Sequence, residues 1–253
     1  MAYIFDSWPH KVYDKTFLKD VRLSIFFPKI ERIVGKEDAL KGFFKEFFKI
    51  DMQMEKFLSV LHVKSEDEDI CLDFKMDSVE IVMRRPAYKS FLLTEAMMKA
   101  ANTYMRTLGV ERISSVEFVK YNELEYKLPN DKMGIMEVMK GVFKDNLIEP
   151  VYADGINDLD TYMKSLTRWE KVITKDDDES GSIFNIEYGF SRKNSNSLNG
   201  ILALKTRIET NGDGIDFAGL DAKIALFNRI LDDAFHWCVR QEVIAMMEAK
   251  AND

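Results

Sequence analysis

The sequence predicts an α+β fold on three observations. Several runs alternate apolar and polar residues with the period of a strand. Two long stretches carry apolar residues at three- and four-residue spacing, the period of a helix. Strands come in consecutive groups between helices rather than alternating with them one by one, which favours antiparallel meanders over a parallel α/β sheet.

Each element has its own signal. Val21, Leu23, Ile25 and Phe27 share one face of a first strand, which Pro28 stops. Residues 36 to 50 read as a helix. On a helical wheel Leu40, Phe43, Phe44 and Phe47 gather on one side, and Lys41, Lys45, Glu46 and Lys49 take the other. Phe48 falls at the edge of the stripe and is expected to be exposed, a candidate contact for a partner. Three strand-like runs follow, with Phe57, Ser59, Leu61 and Val63 on one face, then Ile70, Leu72, Phe74 and Met76, then Val79, Ile81 and Met83. The acidic stretch 65–69 and the pair Asp77-Ser78 separate them, so a meander is expected.

A helix is expected from Tyr88 to Leu108, with Leu93, Met97, Ala100, Ala101, Tyr104 and Leu108 as its stripe and Gly109 as its C-cap. Residues 110–126 are strand-like. Residues 131–144 read as a short, Met-rich helix, and 147–158 carry no clear period. Strands are expected over 162–173, 184–190 and 202–208, joined by polar turns at 176–181 and 193–197. One long helix is expected over 220–249, its apolar line running through Leu220, Ile224, Phe227, Leu231, Ala234, Phe235 and Cys238.

The chain thus divides into residues 1–145 and 146–253, each a meander beside a long helix. The two halves are compatible with one continuous domain and with a duplication, although no self-similarity in sequence marks a repeat. Apolar residues are 46% of the 253 and charged residues 31%, which places the chain among globular proteins with a sizeable core. A net charge of −7 argues against general nucleic-acid binding, which rests on clustered cations. Two distant cysteines make no disulfide framework, so a reducing cytoplasm is expected. No run approaches the roughly 20 apolar residues of a membrane span.

The side chains that carry chemistry are sparse. His236 lies four residues after Asp232, close enough for the pair to meet on one helical face. Cys238 lies two residues further on and faces elsewhere. Arg84, Arg85 and Lys89 cluster between a strand end and a helix start, where an anion or an acidic partner group would be received. Asn211-Gly212-Asp213-Gly214 hints at a calcium loop, but Ile215 stands where such a loop needs an oxygen ligand. Glu117, Glu123 and Glu125 share a strand face, the pattern of a solvated face as well as of paired carboxylates. No catalytic, metal or cofactor motif is complete.

The expected function is a non-catalytic, cytoplasmic protein–protein interaction module. Self-association is expected through the second face of the last helix, at Trp237, Ile244 and Met247, with Phe48 as a further contact. The alternative is a small-molecule binder with an apolar cavity between sheet and helix, lined by Met97, Met98, Met105, Met133, Met136 and Met139.

Leu108-Gly109-Val110-Glu111-Arg112-Ile113 and the closing segment from Leu226 to Phe235, in this order of elements, resemble a sporadically distributed family of uncharacterised bacterial proteins of about this length. Val110 to Ser114 stands where that family suggests an Arg-Tyr-x-Asn-like strand opening. The resemblance implies no activity and transfers no catalytic residue.

Overall fold

The first alternating run forms β1 (Leu18–Phe26), in which Val21, Leu23 and Ile25 turn inward and are almost fully buried. The computed structural model describes residues 16–30, 50–55, 60–65, 70–84, 90–128, 134–152, 166–177, 181–210 and 215–248. The expected helix over 36–50, except Ile50, lies outside the described residues.

β2 (Ile50–Glu55), β3 (Val60–Ser65), β4 (Ile70–Phe74) and β5 (Ser78–Arg84) pair antiparallel in succession, and β5 closes onto β1. β2 corrects the expectation that a helix runs through Ile50. Its sequence, Ile50-Asp51-Met52-Gln53-Met54-Glu55, alternates, and the ladder to β3 makes that period decisive.

α1 (Ser90–Thr107) follows. It ends as Gly109 suggests. Gly109 adopts φ 73°, its amide donates to Arg106 O at 3.0 Å, and the Val110 amide donates to Met105 O at 3.0 Å. Together these close a Schellman turn. Tyr104 faces the sheet, its ring 4.3 Å from that of Phe74 between centroids, and its hydroxyl donates to Lys75 O at 3.4 Å.

The expected strand over 110–126 is two. Among the described strands β6 (Arg112–Ile113) pairs only with β11 (Ile215–Asp216), and β7 (Ser115–Lys127) lies against β1. Two short helices, α2 (Ile135–Val142) and α3 (Asp145–Tyr152), precede β8 (Arg168–Asp177), β9 (Ser182–Arg192) and β10 (Asn199–Thr210). β10 pairs back onto β7. The described strands therefore make one nine-stranded sheet, in the order β2-β3-β4-β5-β1-β7-β10-β9-β8, and the two-stranded pair. The fold class is α+β. β7 pairs directly with β10. β7 lies between β1 and β10, so the sheet runs without a break from β2 to β8.

The closing helix is also two elements. A turn of 3-10 helix at Phe217–Gly219 leads into α4 (Leu220–Cys238), and α5 (Gln241–Glu248) follows. Val239 between them is extended, at φ −101° and ψ 142°, and bridges Phe143. The Lys144 amide donates to Cys238 O at 2.9 Å and the Arg240 amide to Val142 O at 2.8 Å. The backbone groups that a break would strand are thus satisfied by the α2–α3 junction. Arg240 Nε adds a bond to Phe143 O at 3.0 Å. The buried residues of α1, α2, α4 and α5 join the inward rows of the sheet in one core cluster.

Candidate binding face

Alternation along each strand assigns every other residue to the face opposite the helices. Among the described residues, helices supply core side chains on the inner side only. On the second face the register brings charges of opposite sign together across strands. Arg207 of β10 lies 2.8 Å from Glu117 of β7 and 2.6 Å from Glu209. Lys205 of β10 reaches Glu187 of β9 at 2.9 Å. Arg22 of β1 and Lys75 both reach Glu80 of β5 at 3.3 Å. Lys19 reaches Glu123 at 3.1 Å, and His62 Nδ1 lies 2.7 Å from Asp73 Oδ1 across β3 and β4. These groups are half-buried, so the pairs order the surface more than they stabilise the fold.

Asp20 and Tyr121 stand opposite each other near the middle of this face. Burial raises the Asp20 carboxyl above its ordinary value, Arg22 opposes the rise and Glu123 adds to it. Burial, followed by the charge and hydrogen bond of Glu123, pushes the Tyr121 hydroxyl up to about 12. Beside Tyr121 the face sinks into a hollow of about 330 Å³ over Gly189 and Ala203, rimmed by Arg168, Glu170, Glu187 and Lys205. Gly189 has a physical reason. A Cβ there would collide with Trp169 O and sit 2.9 Å from Glu170 Cα, so β8 can curl over β9 only at a glycine.

The inner face carries an unexpected charge. Lys120 of β7 points toward α4, where it pairs with the Asp232 carboxylate and its ammonium also donates to Asn228 O at 3.4 Å. Its side chain is 7% exposed and that of Asp232 is 17% exposed. His236 Nδ1 lies 2.7 Å from the Asp232 carbonyl oxygen, one helical turn back. Cys238 is fully buried, and burial raises its thiol strongly.

Arg84 is exposed at the end of β5, across from Asp20, while Arg85 and Lys89 lie outside the described residues. Phe48 lies outside them as well. Ile244 and Met247 are 2% and 3% exposed in the chain's own core, because the break at Val239 turns α5 back onto the sheet. They therefore present no free face, and Trp237 is half-buried against the same core. Met98, Met105, Met136 and Met139 are core as well; Met133 lies outside the described residues. A void between sheet and helices, lined by Leu124, Leu204, Phe235 and Val243 among others, measures about 20 Å³. That is room for about one water molecule, far below a ligand site. Glu117 and Glu123 are engaged by Arg207 and Lys19, and Glu125 is exposed.

Among the described residues no group of three or more His, Cys, Asp or Glu is placed to hold a metal ion. No described helix is long and apolar enough to cross a membrane. No family model matches the chain, and no curated protein matches it. Among solved structures the chain is similar to one described as KH domains, at 10% identity and a TM-score of 0.19. The match covers 92% of this chain and 66% of that one, and a likeness so slight carries no argument.

Sequence reasoning did not find the second face as a site. Its signals were a glycine inside a strand at Gly189 and a tyrosine among the glutamates of β7 at Tyr121. Neither gains meaning before the register of β7, β10, β9 and β8 is known.

Proposed function

We propose that the chain is a cytoplasmic binding module that docks a protein partner across the second face of its sheet. The breadth and charge pattern of that face support this reading. Nine strands at about 4.8 Å spacing and about seven residues deep span roughly 38 Å by 23 Å, close to 900 Å². A standard protein–protein interface takes about 800 Å² from each partner. Interleaved pairs such as Arg207–Glu117 and Lys205–Glu187 suit a partner of mixed charge better than a phosphate backbone, which needs cations of one sign. Phe26 and Val172 supply exposed apolar contacts at 39% and 52% exposure. Cys71 and Cys238 form no disulfide with each other, in keeping with a reducing compartment.

The test compares proteins co-purifying with the wild-type chain and with Phe26→Asp and Val172→Asp. One stoichiometric partner lost from both variants, at unchanged melting temperature, supports the reading. A partner that both variants retain refutes it, and light scattering tells whether that partner is a second copy.

We also infer that the halves arose by duplication. β1 and β7 meet antiparallel at the centre, each bordered by the last strand of its own meander, with a helix after each meander. That order is what a two-fold axis normal to the sheet would generate. An experimental structure in which β1, β4, β5 and α1 fail to superpose on β7, β9, β10 and α4 would reject it.

A further inference from the structure

β8 ends the nine-stranded sheet. Among the described strands it has β9 on one side and no neighbour on the other. Such an edge offers a row of amides and carbonyls to any strand that can match it. The register says which residues carry that row. The Arg192 amide donates to Thr167 O at 2.8 Å, and the ladder runs on in step from Arg168 opposite Ser191 to Asp177 opposite Ser182. Thr167 and every second residue after it therefore turn their backbone groups to β9. Arg168, Glu170, Val172, Thr174 and Asp176 turn theirs to the open edge. Val172 is also 52% exposed on the second face of the sheet, and Arg168, Glu170 and Thr174 are exposed beside it.

This edge is complementary to itself. Antiparallel pairing of two copies about a two-fold axis normal to the sheet keeps the faces of both copies aligned, so even-numbered residues meet even and odd meet odd. With the axis on Val172, Val172 meets its own copy, Glu170 meets Thr174 and Arg168 meets Asp176. On the other face Lys171 stands opposite Ile173, and Trp169 opposite Lys175. No like charges oppose each other, and symmetry makes the Arg168–Asp176 pairing twice. Neighbouring registers fail this condition. An axis on Glu170 or on Lys171 sets that residue against its own charge. An axis on Ile173 sets Glu170 against Asp176 and Lys171 against Lys175, and one on Thr174 leaves Arg168, Trp169 and Glu170 without partners. Opposite charges across a ladder stabilise it and like charges destabilise it, so the charges of this strand select one register.

We propose that β8 pairs antiparallel with β8 of a second copy, centred on Val172, and so joins two nine-stranded sheets into one. The ladder from Arg168 to Asp176 runs about 30 Å at about 3.4 Å per residue, with the two exposed valines meeting at the axis. The pairing uses the edge of the sheet and does not rest on the docking reading. It carries the second face of one copy on into the next.

The test is sedimentation equilibrium of the whole chain from micromolar to sub-millimolar concentration, where a reversible monomer–dimer equilibrium is expected. Val172→Pro removes an amide that β9 does not use and should leave a monomer with the circular dichroism of the wild type. Arg168→Asp sets like charges opposite at both ends of the ladder and should weaken the dimer about tenfold. Adding Asp176→Arg should restore association, a rescue that only this register predicts. Amide exchange at Glu170, Val172 and Thr174 should slow as concentration rises, while Lys171 and Ile173 stay protected throughout. Phe26→Asp should leave the dimer intact, so this pairing and the docking reading fail separately. A wild-type chain that stays monomeric overturns the proposal. So does a dimer that Val172→Pro leaves intact, or one that the charge exchange does not restore. Growth beyond the dimer overturns it too, since that would mean head-to-tail contacts in place of a two-fold axis.

Discussion

Replacing Asp232 with alanine strands the Lys120 ammonium beneath α4. The lysine side chain is 7% exposed and points at the helix, and its other acceptor is the Asn228 carbonyl at 3.4 Å. Removing one partner of a buried ion pair costs about 3–5 kcal/mol, since the remaining charge stays out of water. Lys120→Met is the informative contrast. The hydrophobic stem is kept, and the carboxylate left behind belongs to the more exposed partner, at 17%. That variant should lose only about 1–2 kcal/mol. The assay is urea unfolding followed by circular dichroism. With a slope of about 3 kcal/mol per molar, Asp232→Ala should lower the midpoint by at least about 1 M, and Lys120→Met by half of that or less. Combining Lys120→Met with Asp232→Leu should recover most of the loss, because an apolar pair of similar volume replaces a desolvated ion pair. An Asp232→Ala midpoint within about 0.5 kcal/mol of wild type would refute the reasoning, for it would mean that the ammonium reaches solvent.

Three further outcomes follow from the same geometry. Gly189→Ala should destabilise by about 1–3 kcal/mol or more, since its Cβ meets backbone rather than a yielding side chain; an unchanged unfolding midpoint would contradict the curl of β8. Asp20→Asn should raise stability at neutral pH, because a carboxyl whose folded value is raised destabilises the fold once ionised; the gain should vanish below the ordinary value of 3.8, where both states are protonated, and a pH-independent gain would contradict the assignment. A thiol reagent should label Cys71, which is half-buried, in the native protein, and Cys238 only as fast as the chain opens; equal rates for the two would contradict the burial of Cys238.

The strands that could be read from the sequence are those in which one face is plainly apolar. β1, β4, β5, β9 and β10 alternate without interruption, and each sits where its pattern places it. β2 was hidden because methionines serve helices as readily as strands, and its partner β3 decides between them. The break in the last helix was hidden for another reason. The segment Cys238-Val239-Arg240 holds no Pro or Gly, and the helical period runs on past it into Val243, Ile244 and Met247. What stops the helix is the junction of α2 and α3, nearly a hundred residues earlier, which takes over its backbone hydrogen bonds. A local pattern cannot contain that information.

The same logic explains why the candidate sites were less legible than the fold. Burial leaves a periodic trace, whereas a site depends on which residues the register sets side by side. Lys120 occupies an inward position of β7, between Phe118 and Asn122, and period alone would class it as an interruption of a strand. Only the crossing of α4 over β7 and β10 supplies Asp232 and turns the interruption into a specific contact. Tyr126 is the converse. Its position in β7 reads as ordinary core, and its ring is indeed buried. Gly200 stands opposite it on β10, more than seventy residues later, and only a residue without a side chain leaves room for its hydroxyl. A buried phenol set against a glycine across a ladder is therefore a feature of the sheet and not of any segment of the chain.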